Sequence, residues 1–359
     1  MKKEEITGVE FGQGLRTSKA QRRRPARAKA VVKPPMMKAA AIDRFGPPSV
    51  LTLHSLPMPE PGPGEVLIEL HAAGVGVWDA DIRGGWWPQG RPKFPIVLGS
   101  DGAGKVAATG PRVRGFRVGE RVWAAEFINP KGGFYAEYIA VKAEHTGRVP
   151  KRLDLLHAGA ATVTALTALQ GIDRLRVRRR ETVLVFGASG AVGTLAVQFA
   201  KWLGARVLGT ASGHAAQRLV RQLGAQGVID ARSPRSLEQI RELAPDGLDA
   251  VLALAGGDAL ERCLDLVRPG GRVAYPHGVE PEPKRRKSVQ LLAYDAESGR
   301  REFARLERAV EQARLRVPIA AAYPLARAAK AHERLERGRV LGRIVLRISQ
   351  PSQSKTQRR

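Results

Sequence analysis

Residues 181–214 read ETVLVFGASGAVGTLAVQFAKWLGARVLGTASGH. Val183-Leu184-Val185-Phe186 is a short apolar run of the kind that forms a parallel strand buried on both faces. A tight turn follows, Gly187-Ala188-Ser189-Gly190-Ala191-Val192-Gly193. Leu195, Phe199, Trp202 and Leu203 then recur at helical spacing, and Gly204 stands where a left-handed C-cap belongs. Arg206–Thr210 reads as a second strand. Strand, glycine turn, helix and strand make the first half of a dinucleotide-binding unit. Gly190 lacks a Cβ, so backbone N–H groups can approach a pyrophosphate, and Gly193 lets the helix pack close to the strand. The helix start supplies donors and partial positive charge for the anion. The segment Ala188–Gly193 (Ala188, Ser189, Gly190, Ala191, Val192, Gly193) is therefore the candidate phosphate cradle. Two rival readings exist. The glycines could serve packing alone, or Gly187–Ala191 could be a degenerate nucleophile elbow with Asp249 or Asp258 and His277 downstream. Ala191 breaks that elbow.

The chain has 359 residues, long enough for two domains with their own cores. It shows no apolar run of about 18 residues, so no membrane span is expected, and its first ten residues do not read as a secretory signal. A cytoplasmic location is the expectation. The single cysteine, Cys263, excludes a disulfide framework and a cysteine-built zinc site. The seven histidines form no metal-spaced pair, so no metal is expected. The formal net charge of +26 invites a nucleic-acid reading. Its distribution weakens that reading. Residues 1–36 hold ten lysines and arginines against three glutamates, and Lys355, Arg358 and Arg359 stand in the last ten residues. In the body the arginines are spread over helices as a solvated face. No specific nucleic-acid partner is expected. The excess of arginine, alanine and glycine suggests a GC-rich bacterial source.

Residues 1–36 are basic and aperiodic and read as a disordered tail, or as a gene start extended upstream of Met37, and residues 350–359 read as a second tail. From Met37 short strands alternate with Gly/Pro turns: 37–42, 51–54, 66–72, 102–107, 122–123 and the stretch after Gly132-Gly133. Many short strands with such turns imply a small barrel. From about Leu156 the period becomes helical, with a helix over 158–170 and further strands over 228–229, 250–254, 272–275 and 289–294. After Pro318 the chain returns towards the barrel with a helix over 325–336 and a strand over 343–348. The expected domains are 37–157 with 317–349, and 158–316.

A barrel interrupted by a dinucleotide unit resembles the medium-chain dehydrogenase/reductase superfamily. The resemblance covers about residues 37–349. It is carried by MKAAAIDRFG from Met37, PGPGEVLIEL, GVGVWDADIRGG at Gly74–Gly85, LGSDGAGKV at Leu98–Val106, GFRVGERVWA, GGFYAEYIAV, the Ala188-x-Gly190-x-x-Gly193 turn and AHERLERGRVLGRIVL at Ala331–Leu346. The resemblance implies an α/β fold: a GroES-like β-barrel catalytic domain with an inserted doubly wound parallel-sheet (Rossmann) domain. The branch it most resembles is that of the zinc-independent quinone oxidoreductases. Where zinc members carry GHE this chain has Gly99-Ser100-Asp101. Without a Lewis acid a simple alkoxide is hard to stabilise. The implied acceptor is instead a small planar electrophile, a quinone or an α,β-unsaturated carbonyl, reduced by NADPH. Enoyl-thioester reduction and non-catalytic NADP binding are the alternatives, and a homodimer is in keeping with the family.

Asp79 and Arg83 match the D and IR positions of the family's GVNxxDxxIR stretch, while Gly76 and Asp81 depart from it. Thr164 lies in the segment that approaches the nicotinamide in this family. Asp79, Arg83 and Thr164 are the candidate catalytic residues, although Asp79 and Arg83 could simply pair with each other. Trp78, Trp86 and Trp87 offer an aromatic wall for a flat substrate, or barrel packing. NAD-specific units place an acid at the end of the second strand, on the ribose 2′-hydroxyl. Here Gly209–His214 contains none, and the next acid is Asp230. Ser212 is expected to donate to a 2′-phosphate, with His214, Arg218 or Arg232 neutralising it. The cofactor expectation is thus NADP(H). Ala255 should border the adenine ribose, and Tyr275 and His277 the nicotinamide, with His277 a wall residue or a proton donor.

Overall fold

The computed structural model describes residues 34–88 and 90–348. Short strands joined by proline and glycine turns come first. β1 (Met36–Ile42) runs antiparallel to β2 (Leu51–Pro57), and the long β3 (Glu65–Val75) follows. Helix α1 (Val77–Gly84) leads through β4 (Ile96–Val97) to β5 (Asp101–Thr109), β6 (Arg121–Ala125), β7 (Tyr138–Lys142) and β8 (Thr146–Arg148). β3 organises this part. It pairs antiparallel with β5 along most of its length, and its first residues also pair with β7. Val66, Leu67, Ile68 and Leu70 are all buried, because both faces of β3 meet other layers.

Helix α2 (Leu155–Arg174) starts where the Asp154 carboxylate accepts the His157 N–H at 2.8 Å. By length and composition it is apolar enough to cross a membrane, although no apolar run in the sequence pointed to one. Its apolar residues are used within the fold, since α2 packs against β3 and β5 on one side and the following helix on the other.

Strand and helix then alternate: β9 (Thr182–Phe186), α3 (Ala191–Trp202), β10 (Arg206–Thr210), α4 (His214–Leu223), β11 (Gly227–Ile229), α5 (Ser236–Leu243), β12 (Leu248–Ala253), α6 (Asp258–Leu264), β13 (Val267–Pro276) and β14 (Gln290–Tyr294). All six strands are parallel, in the order β11-β10-β9-β12-β13-β14. The order reverses beside β9, where a doubly wound sheet opens a crevice at its strand C-termini. Every residue of β12 is buried, as helices on both faces require.

Helix α7 (Arg300–Gln312) returns the chain to β15 (Ile319–Pro324), α8 (Ala328–Glu336) and β16 (Arg343–Arg347). β16 pairs with β15 and antiparallel with the end of β3, completing a seven-stranded sheet. The alanine-rich β15 was not set apart by the sequence, nor was α1. The two tails expected from the sequence lie, up to residue 33 and from residue 349, outside the described residues.

Candidate active site

The turn after β9 is shaped by its glycines. Gly187 has φ +89°, a conformation that a side chain resists. A Cβ on Gly193 would fall 2.7 Å from the Ala188 Cα and closer still to the Gly187 carbonyl oxygen. Helix α3 can therefore approach β9 only with glycine there. Gly190 caps α3 without a side chain, and a Cβ there would meet nothing nearer than the Gly187 oxygen at 3.6 Å. The space beside Gly190 is open, and Ser189, Gly190, Ala191 and Val192 are half-buried around it while Ala188 is buried. An open cradle at the start of a twelve-residue helix fits a pyrophosphate.

The ribose end differs from the sequence expectation. Ser212 and His214 are exposed at the end of β10 and the start of α4, with Arg218 exposed one turn on. The Ser212 hydroxyl, however, donates to the Asp230 carboxylate at 2.6 Å, and the same oxygen accepts the Arg232 N–H at 3.1 Å. The donor assigned to a 2′-phosphate is thus already engaged, and by an acid. Asp230 is brought in by the parallel pairing of β10 with β11, which sequence distance conceals. Ala255 is exposed just past β12. Tyr275 is buried at the end of β13, with its hydroxyl donating to Glu282 at 3.3 Å. His277 is exposed, and its Nδ1 lies 2.9 Å from the Asp295 carboxylate.

Across the crevice, Asp79 is buried with a fully used carboxylate. One oxygen accepts the Gly76 N–H at 2.8 Å and the Tyr135 hydroxyl at 3.0 Å, and the other accepts the Ser100 hydroxyl at 2.9 Å. Burial pushes its carboxyl up to about 6, opposed by the Arg343 guanidinium and the hydrogen bonds from Gly76 and Ser100. The Tyr135 hydroxyl also lies 3.2 Å from His332 Nε2, and burial with the Arg83 charge pulls His332 down to about 3. Arg83 does not pair with Asp79. It is buried, and its partner is Glu336 of α8. Thr164 is buried within α2, and its hydroxyl donates to the Ala161 and Ala160 carbonyls at 3.1 and 3.3 Å. Among the described residues no hydrogen bond joins the three candidate catalytic residues to one another, although the Arg83 charge acts on His332, which shares the Tyr135 hydroxyl with Asp79. Tyr135 and His332, which complete the Asp79 network, lay in quoted motifs without being singled out.

The aromatic wall is redrawn. Trp78 contacts Trp86 and Phe127 with ring centroids 5.3 and 5.0 Å apart, and Trp86 and Phe127 are 46% and 41% exposed. Trp87 instead joins the barrel core. The Trp78 ring faces Gly278, just past β13, where a Cβ would lie 3.4 Å from its edge. No group of three or more His, Cys, Asp or Glu side chains among the described residues is disposed to hold a metal ion. Ser100 spends its hydroxyl on Asp79, and Cys263 is buried in α6.

Two family descriptions match the sequence: an alcohol dehydrogenase GroES-like domain over residues 62–151, and a zinc-binding dehydrogenase over residues 223–346. The residues around Asp79 do not fit the metal that the second description names. The quinone oxidoreductase of Homo sapiens is 32% identical over 87% of this chain and 98% of its own length. That of Pseudomonas aeruginosa is 32% identical over 87% of this chain and 99% of its own. Among solved structures, a mycobacterial protein complexed with NADPH superposes with a TM-score of 0.76 at 30% identity, covering 87% of this chain and all of that one. A parallel Rossmann sheet, a GroES-like half and relatives that align over nearly their whole length agree. The chain belongs to the medium-chain dehydrogenase/reductase superfamily, in its quinone oxidoreductase-like branch.

Proposed function

We propose that this oxidoreductase is a zinc-independent reductase that uses NADPH to reduce a quinone or an α,β-unsaturated carbonyl. The observation that carries the reading is the ring cluster of half-buried Trp78 with exposed Trp86 and Phe127, set against Gly278 just past the C-terminal end of β13. Exposed aromatic surface in a crevice is a place for a flat apolar ligand.

When bound, the reduced nicotinamide supplies the hydride. The N–H groups of the turn from Gly187 to Gly193 would hold the pyrophosphate. Tyr275 and His277, at the end of β13, would border the nicotinamide end. The three rings orient the acceptor and keep water from its face. A conjugated acceptor spreads the incoming electron pair into an enolate or hydroquinone, so no Lewis acid is required. The Ser100 and Tyr135 hydroxyls are committed to Asp79, so the proton comes from water. Asp79, Arg83 and Thr164 act as positioning residues: Asp79 fixes the start of α1, which carries Trp78, Arg83 ties α1 to α8, and Thr164 is part of the α2 packing.

At the ribose end His214, Arg218 and Arg232 favour a 2′-phosphate, while Asp230 opposes it and holds Ser212. NADPH is used in this reading, with its margin over NADH narrowed by that carboxylate. The test is loss of the reduced-nicotinamide absorbance with a planar ortho-quinone. Turnover with neither nucleotide would remove the reductase reading. For the cofactor, Asp230→Asn is expected to tighten NADPH binding by about tenfold without tightening NADH, as loss of one nearby like charge implies. Equal Kd values for NADPH in both proteins would place the 2′-phosphate elsewhere.

A further inference from the structure

The parallel sheet has a second open end. Glu181, just before β9, and Arg272, midway along β13 where β14 begins to pair with it, are joined at 2.7 Å on the side opposite the glycine turn. The five residues of β9 separate the two ends by about 15 Å. Here a cleft of about 1040 Å³ runs between the C-terminal half of α2, the loop after it and α7, with the start of β14 on its floor.

The charge of this cleft is one-sided. Arg174, Arg176 and Arg178 line it from α2 and its loop, and Arg301, Arg305 and Arg308 from α7. Arg272 adds a guanidinium at the floor, and its buried Nε has no hydrogen-bond partner among the described residues. The opposing acids are Asp173, Glu297 and Glu302, and Asp173 is already paired with Arg305 at 3.0 Å. Arg174, Arg176, Arg178, Arg301 and Arg308 have no ion pair to any described residue. Five guanidiniums without an ion-pair partner face two unpaired carboxylates, Glu297 and Glu302, so the concavity keeps an excess of positive charge that a multiply charged anion relieves. Guanidinium forks match phosphate oxygens. None of the described residues that line the cleft is aromatic, so none of them stacks on a base.

We propose that this cleft binds a short chain of condensed phosphates, at a site separate from the dinucleotide crevice. The phosphate chain alone is recognised, whether free or as the tail of a nucleoside triphosphate. The claim does not rest on the reductase reading.

The experiment is calorimetric titration of the full chain, with NADPH present, using inorganic tripolyphosphate, ATP and sulfate. Tripolyphosphate and ATP are expected to bind one per chain with similar affinity, and sulfate at least about tenfold more weakly. Raising the salt severalfold should weaken binding by about tenfold or more. The triple variant R174A/R178A/R301A should lose at least about tenfold in affinity, while neutralising Arg22, Arg23 and Arg24 in the basic N-terminal segment should not. Unchanged melting temperature and NADPH affinity in the triple variant serve as the folding control. A second variant, Arg308→Glu, puts a negative charge on the exposed wall and should weaken binding by the same order. Full affinity in both cleft variants would overturn the proposal. So would ATP binding that exceeds tripolyphosphate, or an oligonucleotide that binds the same arginines more tightly than either.

Discussion

Asp79 and His332 are held by one tyrosine hydroxyl, and burial acts on them in opposite senses. Asp79 titrates at about 6 in the fold, against an ordinary value of 3.8, so the folded state binds its proton more tightly than the unfolded chain does. Stability from this group is present below the ordinary value and is lost as pH rises towards 6, on the order of 3 kcal/mol in all. His332 titrates at about 3 instead of 6.5, so the unfolded chain takes its proton first. Its contribution is complete above the ordinary value and falls as pH drops towards 3. The two slopes therefore oppose each other between about pH 4 and 6. Asp79→Asn should gain stability relative to the parent as pH rises through that window, and His332→Gln should lose it. Thermal melting across the pH series checks both signs. Parallel curves for parent and variant would mean that the buried groups do not titrate as their surroundings dictate.

The turn between β9 and α3 is the element most legible in the sequence, because its glycines answer to backbone geometry alone. Gly187 needs a positive φ and Gly193 a close approach, and both needs are visible as residue type. What was not legible depends on partners distant in sequence. Ser212 meets an acid 18 positions on, which changes the reading of the ribose end. Phe127 reaches Trp78 from the loop after β6, a contact between residues far apart in sequence. β15 is too rich in alanine to show an alternating pattern. The turn permits a clean separation of fold from binding. Gly193→Ala should cost about 2–4 kcal/mol, since its Cβ would overlap backbone that cannot move away cheaply. Gly190→Ala has room, and φ at −76° suits alanine, so it should keep stability within about 1 kcal/mol. Its methyl would fill the cradle, and NADPH binding should weaken by at least about tenfold. Denaturant melts together with nucleotide titration of both variants decide it. A Gly190→Ala protein that binds NADPH normally would move the pyrophosphate out of this turn.

The two sheets are joined by a short chain of contacts that involves neither substrate nor nucleotide. Gly342 donates its N–H to the Ser189 carbonyl at 3.0 Å, so the glycine turn is stitched to the residue before β16. Next along, Arg343 sends its guanidinium into the barrel half and meets Asp101 at 3.0 Å. The other Asp101 oxygen accepts the Val163 N–H of α2 at 2.9 Å. Gly74 must lack a side chain for this, because a Cβ there would fall 2.7 Å from both the Arg343 and Asp101 groups. Burial raises the Asp101 carboxyl, and the Arg343 charge works against that rise. Arg343→Met would leave the carboxylate buried without its cation, at a cost of about 3–5 kcal/mol, and adding Asp101→Asn should recover much of it. Gly342→Ala probes the stitch itself. Gly342 has φ +89°, and a Cβ would lie 2.8 Å from the Pro318 Cβ and nearer its carbonyl, so the strand start must shift. The Ser189 carbonyl shifts with it, and with it the cradle. NADPH affinity should fall by about tenfold in a variant whose altered residue belongs to the barrel half and never meets the nucleotide. If nucleotide titration of Gly342→Ala gave the parent Kd while its melting temperature dropped, the stitch would hold the halves together without setting the shape of the cradle.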